Sequence, residues 1–368
     1  MKVLEMIPIY KPFLVGNYKK YVNDALESTW ISSKGSYLDL FEQVFSKKLM
    51  HGVQSTTVSN GTVALDLALR VVGIGPGDEV IVPNFTYIAT ANAVVRSGAT
   101  PIFVDCNSTD WNLCLDDVRK CISKRTKAIL AVHVYGAACN VPELLQLARD
   151  NGLYLIEDCA EAIGSYFGGK HVGTESDIST FSFFGNKTIT TGEGGMVCSS
   201  NQRFIDAAKH LKSQAVSKTR EYWHDEVGFN FRMTNLQAAI GVSQLEIVDK
   251  ILRRKSSLYQ LYQEQITSDK VQFQMEAENT VHSRWMVAIK LDTGQNAKLI
   301  REKLHAKNIE TRPAFPLITD MPMYKRYKRH TPTASDISNT VICLPSYPEL
   351  EEEKIMNISE IIVTELGG

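Results

Sequence analysis

The chain has 368 residues, of which 44% are hydrophobic, and its 40 basic and 41 acidic side chains leave a net charge of −1. This composition is typical of a soluble globular protein, and it lacks the basic excess that nucleic-acid binding usually requires. It also excludes a disordered, collagen-like or coiled-coil chain. At roughly 150 residues per domain, the length predicts about two domains.

The seven cysteines lie scattered without a C-x-x-C pair, which predicts neither a disulfide framework nor a zinc site and favours a reducing compartment. Residues 1–12 lack the apolar run and cleavage site of a signal peptide, and no segment approaches the roughly 18 apolar residues of a membrane helix. None of the 8 histidines lies four residues from another. We therefore expect a cytoplasmic protein with no membrane partner and no catalytic metal.

Short apolar runs alternate with amphipathic helical patterns between about residues 55 and 200. The runs lie near residue 58 and at 79–83, 101–105, 128–135 and 153–158, and the helical patterns at 63–72, 89–96 and 141–150. Apolar runs without polar alternation are typical of strands that are buried on both faces. The pattern therefore predicts an α/β fold with a mostly parallel sheet covered by helices on both sides.

A long helical pattern begins near Thr234 and continues through Leu261. Its length suits a helix that bridges two domains. We place the boundary near residue 245, which gives a large domain of residues 1–245 and a small domain of residues 246–368. The second part combines a strand-like run at 285–291 with helical patterns at 297–306 and 351–366, which predicts a smaller α+β domain.

Three motifs imitate known binding sites. The glycines of GIGPGD at 73–78 follow a helix and precede a strand, the reverse of a dinucleotide site, so they favour a helix end. The G-x-x-x-x-G-K match at 164–170 continues with His171 and no helix, which favours a hairpin-like turn. The segment YKRYKRH at 324–330 is typical of a solvated helix face, or of a surface that contacts nucleic acid or a smaller phosphate ligand. The near-zero net charge disfavours nucleic acid.

The segment Ser59-Asn60-Gly61-Thr62 lies between a predicted strand and a predicted helix. The first amides of a helix have no partner within it, so those of Gly61 and Thr62 could bind a phosphate. Taken alone, the same four residues favour a plain helix cap. The segment therefore indicates either a cap or an anion site.

Two further segments carry ionisable residues at positions that favour chemistry. Asp158 follows the predicted strand 153–156 at the edge where open α/β sheets bind ligands, although a turn or capping role is also consistent. Lys187 lies between the aromatic strand 178–183 and a loop that contains Gly192, Gly194 and Gly195, residues that permit positive φ or close backbone approach. Poor solvation there would lower the pKa of the lysine toward that of a nucleophile, unless it occupies an exposed turn.

Together these segments supply an anion site, a carboxylate and an activated lysine, which are the groups that pyridoxal 5'-phosphate requires. The patterns that contain them are SNGTVALDLAL, IEDCAEAIGS and SFFGNKTITTGEGG, followed by GFNFRMTNLQAAIG. These four ordered motifs resemble the DegT/DnrJ/EryC1/StrS family of sugar aminotransferases, and the resemblance covers essentially the whole chain. It implies the type I fold of pyridoxal-phosphate enzymes, with a large αβα domain and a small C-terminal α+β domain.

The resemblance implies a role for each matching residue. Lys187 is expected to bind the cofactor covalently and to move the proton of the reaction, and Asp158 to hold the ring nitrogen protonated. The remaining cofactor contacts are expected at the phosphate, from Gly61, Thr62 and Ser182, and on the ring face, from Tyr87.

Glu161 occupies a position where many family members carry Gln or His, next to the expected place of the cofactor's phenolic oxygen. Asn230 and Arg232 match a family loop that often reaches the phosphate site of the neighbouring subunit. The resemblance therefore implies a two-fold homodimer with shared active sites.

The resemblance also implies the substrates, namely L-glutamate as amino donor and a nucleotide-linked keto sugar as acceptor. TWISSKG, YWHDEVGFNFRMTN, ETRP and MPMY are similar to the branch that aminates C4 of GDP-4-keto-6-deoxymannose, for a surface polysaccharide such as the O antigen of lipopolysaccharide. UDP- or dTDP-linked 4-keto or 3-keto sugars are the alternatives. A sugar dehydratase of this family would carry a histidine in place of Lys187. A non-catalytic regulator on the same fold is a further alternative, disfavoured because Lys187, Asp158 and Ser182 are all intact.

The expected substrate wall comprises Trp30, Ser32, Ser33, Arg312 and Tyr324. Arg312, or the pair Lys325 and Arg326, is the candidate partner of the diphosphate. Related sequences commonly show a proline and then a histidine between the R-P and M-P-x-Y motifs. Here the proline is displaced to Pro316 and Thr319 replaces the histidine, a departure that bears on the substrate and not on the cofactor.

Overall fold

The computed structural model of the protein describes residues 6–292 and 294–367. In chain order, its strands are β1 (Gln54–Val58), β2 (Glu79–Pro83), β3 (Thr100–Val104), β4 (Thr126–Val132), β5 (Tyr154–Asp158), β6 (Tyr166–Phe167), β7 (Lys170–His171), β8 (Ile178–Ser182), β9 (Gly195–Ser199), β10 (Val271–Phe273), β11 (Thr280–Val281), β12 (Val287–Leu291), β13 (Arg312–Pro313) and β14 (Val341–Leu344). Its helices are α1 (Tyr18–Glu27), α2 (Ser36–Lys48), α3 (Gly61–Val71), α4 (Ala89–Arg96), α5 (Leu115–Cys121), α6 (Val141–Asp150), α7 (Gln202–Leu211), α8 (Asn235–Gln265), α9 (Ala297–Ala306), α10 (Pro332–Thr340) and α11 (Glu352–Glu365).

The main sheet contains seven of these strands in the spatial order β1-β9-β8-β5-β4-β2-β3. β9 runs antiparallel to its neighbours β1 and β8, whereas the other neighbouring strands are parallel. Strands β2 and β8 are buried along their whole length, as expected for a sheet that is covered on both faces. The predicted α/β class with a mostly parallel mixed sheet is confirmed.

Two smaller sheets accompany the main one. The sheet β10-β12-β14-β13 is antiparallel, and α9 and α11 pack on it around a core that includes Ile289, Leu304 and Ile358. The sheet β11-β6-β7 contains a hairpin that includes most of the G-x-x-x-x-G-K match, with Gly168 and Gly169 in its turn. That match is therefore a turn between two strands and not a phosphate loop, as the sequence predicts.

Helix α8 connects the core of the main sheet to that of the small antiparallel sheet. It begins at a capping box, in which Thr234 Oγ1 accepts a hydrogen bond from the Gln237 amide and Gln237 Oε1 accepts one from the Thr234 amide. Leu245 packs in the first core, and Leu258 and Tyr262 pack in the second. The helix is continuous through residue 245, and a domain boundary there stays a prediction. Among the described helices, none combines the length and the apolar character needed to cross a membrane.

The three predicted chemical segments meet at one edge of the main sheet. The parallel strands β5 and β8 end there at Asp158 and Ser182. β1 runs in the same direction, so the connection from Val58 to Gly61 reaches the same edge, where Gly195 of β9 lies opposite Val58. This is the carboxyl edge, at which open α/β sheets bind their ligands.

Candidate active site

A cavity of about 590 Å³ opens at the carboxyl edge of the main sheet. Its volume lies in the range of cofactor and small-molecule sites. Eight of the predicted site residues line it together, namely Gly61, Thr62, Tyr87, Asp158, Glu161, Ser182, Lys187 and Arg312. These residues come from distant parts of the chain, so the fold brings them together.

One end of the cavity is built by the N-terminus of α3. Asn60 caps this helix, and its Oδ1 accepts a hydrogen bond from the Val63 amide at 3.0 Å, which leaves the amides of Gly61 and Thr62 at the cavity wall. A Cβ on Gly61 would lie 2.7 Å from Cβ of Ser182, so only glycine lets the helix approach β8 this closely. Two amides and a hydroxyl at a helix N-terminus form an anion site.

The glycine-rich loop before β9 brings the chain back to this anion site. Gly192 has a φ of 84°, a conformation that residues with a side chain rarely adopt. A Cβ on Gly195 would lie 2.6 Å from the carbonyl oxygen of Asn60. The two uses of glycine that the sequence predicts, positive φ and close backbone approach, are both found in this loop.

Asp158 is the last residue of β5, and its carboxylate is held in place by two donors. Thr90 Oγ1 donates to Oδ2 at 2.8 Å and the Ala160 amide donates to Oδ1 at 3.1 Å. Burial raises the pKa of this carboxyl above its ordinary value, while the two hydrogen bonds and the nearby Lys187 act in the opposite direction. A carboxylate that is fixed in this way suits a charge-assisted hydrogen bond to a ligand nitrogen.

Lys187 lies in a turn directly after β8, where its amide donates to the carbonyl oxygen of Phe184 at 2.9 Å. Its Nζ lies 4.2 Å from the ring centroid of Trp285, and Trp285 Nε1 donates to the carbonyl oxygen of Asn186 at 2.8 Å. Burial lowers the pKa of the amine, and the negative charges of Glu161 and Asp158 oppose this shift in part. A buried amine of this kind loses its proton more readily than an exposed one, as nucleophilic catalysis requires.

Glu161 is a buried carboxyl that faces both ionisable neighbours. Its Oε2 accepts a hydrogen bond from the Tyr135 amide at 2.8 Å. Burial raises its pKa to about 7, against the lowering effects of Lys187 and of this hydrogen bond. Tyr135 adopts a left-handed conformation with a φ of 54°, so its amide is aimed at Glu161 at some conformational cost. Near neutral pH, Glu161 therefore exists in both protonation states.

The mouth of the cavity is aromatic and carries one guanidinium. The rings of Tyr87 and Phe315 lie 6.0 Å apart between centroids, and Phe315 stacks on the buried ring of Tyr135 at 5.0 Å. The guanidinium carbon of Arg312 lies 5.3 Å from the ring centroid of Tyr10. Arg312 has no ion pair within the described residues, so its charge is available to an anionic ligand.

Three predicted site residues near the N-terminus lie outside this cavity. The indole of Trp30 is exposed, and the carbonyl oxygens of Trp30 and Ser32 accept hydrogen bonds from Asn235 at the start of α8. Ser33 lines a separate open depression that it shares with Arg232. The structure therefore does not bring these residues to the cavity of their own subunit.

Asn230, Arg232 and Tyr324 also lie away from the cavity. Arg232 Nε donates to Asn230 Oδ1 at 3.0 Å, in the segment that precedes α8. Tyr324 is 2% exposed and its hydroxyl donates to Asn92 at 2.6 Å. Tyr324 is therefore a core residue, and the first four residues of the basic and aromatic segment 324–330 lie in a short 3-10 helix, Pro322–Tyr327.

The departure from the family pattern near residue 316 also lies outside the cavity. Thr319 is buried, and its Oγ1 accepts a hydrogen bond from Asn84 Nδ2 at 2.9 Å. Pro316 is exposed. Thr319 therefore connects two parts of the chain through Asn84, which directly follows β2.

Four residues that shape the site are not assigned to it from the sequence, namely Thr90, Tyr135, Trp285 and Phe315. Thr90 belongs to the same PNFTYIAT segment as Tyr87, and its position in the first turn of a predicted helix beside the sheet edge is a weak signal. The contacts of the others depend on distant segments, since Trp285 bonds to the chain at Asn186.

The chain is similar to known proteins of one family, both in sequence and in fold. The sequence pattern of the DegT/DnrJ/EryC1/StrS aminotransferase family matches residues 14–363. The chain is similar to the GDP-perosamine synthase of Escherichia coli O157:H7, with 49% identity and 98% of each chain covered. It is 47% identical to the GDP-perosamine synthase of Vibrio cholerae, over 97% of this chain and 98% of that protein. Its fold matches the PLP-form structure of Streptococcus pneumoniae Spr1654 with a TM-score of 0.93, at 25% identity and with 98% of each chain covered.

Proposed function

Because the chain belongs to the DegT/DnrJ/EryC1/StrS aminotransferase family, we propose that it transfers an amino group from L-glutamate to C4 of GDP-4-keto-6-deoxymannose and so forms GDP-perosamine. The two relatives named GDP-perosamine synthase, at 49% and 47% identity over nearly the full length, support this choice of sugar. The observation that carries the chemistry is the buried amine of Lys187, which faces Asp158 and Glu161 in one cavity.

The cofactor is pyridoxal 5'-phosphate, and the residues of the cavity fit it. When bound, it supplies an electron sink for the carbon that gains or loses the amino group. We assign its phosphate to the amides of Gly61 and Thr62 with Ser182, because this anion site is too close-packed for a side chain on Gly61. We assign its ring nitrogen to Asp158 and its ring face to the exposed ring of Tyr87.

Lys187 carries the covalent and proton-transfer work in this proposal. Because burial lowers its pKa, Nζ releases a proton more readily than an exposed amine does, and it can accept one again from the reacting carbon. The rings of Trp285 and Phe315 line the same cavity and keep water from the reacting groups. Glu161, whose pKa burial raises to about 7, lies close enough to Lys187 for the positive charge of the amine to oppose that rise.

The acceptor sugar brings a diphosphate into the cavity. Among the residues that line the cavity, the cations are Lys187 and Arg312. Lys187 is committed to the chemistry, so we assign the diphosphate to Arg312, whose guanidinium is held over Tyr10 and has no acidic partner within the described part of the chain. A planar guanidinium is well suited to phosphate oxygens.

We further propose a homodimer with shared active sites. The loop between α7 and α8 exposes Tyr222 fully, together with Val216, Trp223 and Val227, and exposed apolar patches of this kind mark protein interfaces. Asn230 and Arg232 lie in the same connection and away from their own cavity. A two-fold partner would cover this loop and could receive these residues at its phosphate site.

The cellular setting is also a proposal. All seven cysteines are free thiols, and five of them are buried, which suits a reducing cytoplasm. The amino sugar would serve a surface polysaccharide such as the O antigen of lipopolysaccharide.

The test combines two measurements on the purified protein. Glutamate alone should bleach the visible absorption of the bound cofactor, and the bleached enzyme should then aminate a GDP-linked 4-keto-6-deoxy sugar in preference to UDP- and dTDP-linked ones. Preference for a UDP or dTDP sugar would overturn the choice of substrate and leave the aminotransferase intact. Lys187→Ala should lose the borohydride-reducible colour, whereas Lys170→Ala, a change at an exposed lysine, should keep it. If Lys187→Ala kept this colour, the role of Lys187 would be wrong.

A further inference from the structure

A second, narrow cavity adjoins the active-site cavity and shares Asn186, Lys187 and Trp285 with it. We call it the Lys255 cavity, because the amine of Lys255 on α8 reaches it together with Thr188 and Ser346. Its volume of about 20 Å³ is enough for about one water molecule. A cavity of this size is filled by an ordered water only if polar groups converge on it.

The amine of Lys255 is one such group. Its side chain is buried, at 6% exposed, and Nζ donates to the carbonyl oxygen of Ser346 at 2.9 Å. This is its only protein partner among the described residues, whereas an ammonium has three protons to donate. Burial lowers the pKa of this amine to about 8, so at neutral pH it is mostly charged and still lacks acceptors.

Two acceptors in the wall of the same cavity lack donors. Asn186 Oδ1 and Thr188 Oγ1 are buried and have no hydrogen-bond partner among the described residues. A buried polar atom that forms no hydrogen bond costs about 1–3 kcal/mol, and such atoms are usually satisfied by internal water. These two residues directly precede and follow Lys187 in the chain.

We propose that one ordered water in the Lys255 cavity accepts a hydrogen bond from Lys255 Nζ and donates to Asn186 Oδ1 and Thr188 Oγ1. Lys255 is then a positioning residue for Lys187. This inference rests on the proposed role of Lys187. A water can contact all three groups at once, since it has two protons for the two oxygens and a lone pair for a second proton of the ammonium.

The bridge would hold the turn that carries Lys187 from its buried side. The turn itself is held by the bond from the Lys187 amide to Phe184 and by the bond from Trp285 to Asn186. Three residues after Lys187, the Thr190 amide donates to Gln244 Oε1 of α8 at 3.3 Å. The water would add a connection to α8 directly beside Lys187, through Lys255. Without the water the turn loses a contact on its buried side, and a displacement of about 1 Å in a catalytic group can reduce a rate by about a hundredfold.

The direct test is a crystal structure of the enzyme with its cofactor, at a resolution that shows ordered water. We expect one water within hydrogen-bond distance of Lys255 Nζ, Asn186 Oδ1 and Thr188 Oγ1. A dry cavity, or a water that does not contact Lys255, would overturn the proposal.

The functional test uses Lys255→Met and Thr188→Val, with two matched controls. Lys250→Met removes an exposed amine from the same helix, and Ser359→Ala removes a buried hydroxyl without a partner from α11. Both test variants should lower kcat for glutamate about tenfold with little change in KM, and should alter the visible circular dichroism of the bound cofactor. Both controls should behave as the unmodified protein.

Test variants that match the controls in kcat and in circular dichroism would show that the water is structural only and would overturn the positioning role. If Lys255→Met fails to fold, Thr188→Val decides the question, because it retains the shape of the side chain. The glutamate half-reaction and the circular dichroism require no sugar, so an error in the proposed acceptor leaves this test intact.

Discussion

The pKa of the Asp158 carboxyl depends on a hydrogen bond from Thr90. The hydroxyl of Thr90 donates to Oδ2 at 2.8 Å and opposes the effect of burial on the pKa. Thr90→Val removes this donor, so the pKa of Asp158 should rise further and the acid limb of the pH profile of kcat/KM should move to higher pH. Because hydrogen bonds to charged groups contribute about 1.5–3 kcal/mol, we expect kcat/KM to fall about tenfold or more on that limb.

The control for this prediction is Thr90→Ser, which retains the hydroxyl. It should keep the acid limb close to that of the unmodified protein. A limb that stays in place in Thr90→Val would mean that Asp158 does not control that part of the profile.

Glu161 should make the cofactor-free protein less stable as pH rises. The pKa of Glu161 is about 7 in the folded protein, against an ordinary value of 4.5 for a glutamate. Between these two pH values the folded form binds more protons than the unfolded form, so the free energy of unfolding falls with increasing pH. Glu161→Gln removes this titration but can still accept from the Tyr135 amide. It should therefore raise the free energy of unfolding at pH 8 by up to about 3 kcal/mol, and by nothing near pH 4.

Denaturant unfolding of the cofactor-free protein at several pH values would measure this effect. Glu193→Gln is the control, since Glu193 lines the same cavity but is exposed, and its stability difference should stay small at every pH. A gain for Glu161→Gln that is equally large at pH 4 and pH 8 would contradict a titrating carboxyl at this position.

The sequence predicts the ionisable residues of the site better than it predicts the residues that hold them in place. Asp158 ends a strand and Lys187 lies in the turn after one, and this local context indicates where they lie. Thr90 meets Asp158 across 68 residues of chain and Trp285 meets Asn186 across 99. Such contacts depend on the sheet order, which no local pattern contains.

The approach of α3 to β8 should control the affinity for the cofactor. In Gly61→Ala, the new methyl group would lie 2.7 Å from Cβ of Ser182, so the helix and the strand must separate and the amides move away from the phosphate. We expect the dissociation constant of pyridoxal 5'-phosphate to rise at least about tenfold, which corresponds to about 1.4 kcal/mol. An absorbance titration of the cofactor-free protein would measure it.

Gly75→Ala provides the comparison, because a Cβ at Gly75 meets no atom within 4 Å. It should bind the cofactor as the unmodified protein does. Equal affinities of the two variants would mean that the phosphate does not lie at the N-terminus of α3.

The helices and strands differ in how closely the sequence predicts their bounds. α4, α9 and β2 have the bounds that the sequence predicts, and α3 begins two residues earlier than predicted, at the Asn60 cap. α1 has no sequence prediction, although Tyr18, Tyr21, Val22, Ala25 and Leu26 recur at helical spacing; of these only Ala25 is buried. The short strands β11 and β13 exist only through pairing with distant segments, so a local pattern cannot show them.

The sequence predicts the arrangement within one subunit better than the arrangement between subunits. The α/β class and the meeting of three segments at one sheet edge follow from buried strands and crossover helices. The position of Trp30 and Ser33 away from the cavity does not follow from the sequence, whereas for Arg232 the family resemblance already implies a place toward a neighbouring subunit. If the proposed dimer forms, these residues are functional only toward a second copy.

Mixing two inactive variants tests this arrangement. In Lys187→Ala the site lacks its amine, and in Arg232→Ala we expect weakened cofactor binding and little activity. If Arg232 acts on the partner's cavity, a mixed dimer contains one site with an intact Lys187 and an intact Arg232 from the other chain. Random exchange makes about half of the dimers mixed, so activity should recover to about a quarter of that of the unmodified protein. If Arg232 acts on its own cavity, both sites of the mixed dimer lack one group and no activity returns. Sedimentation of each variant as a dimer is the control, because a monomer could not complement at all.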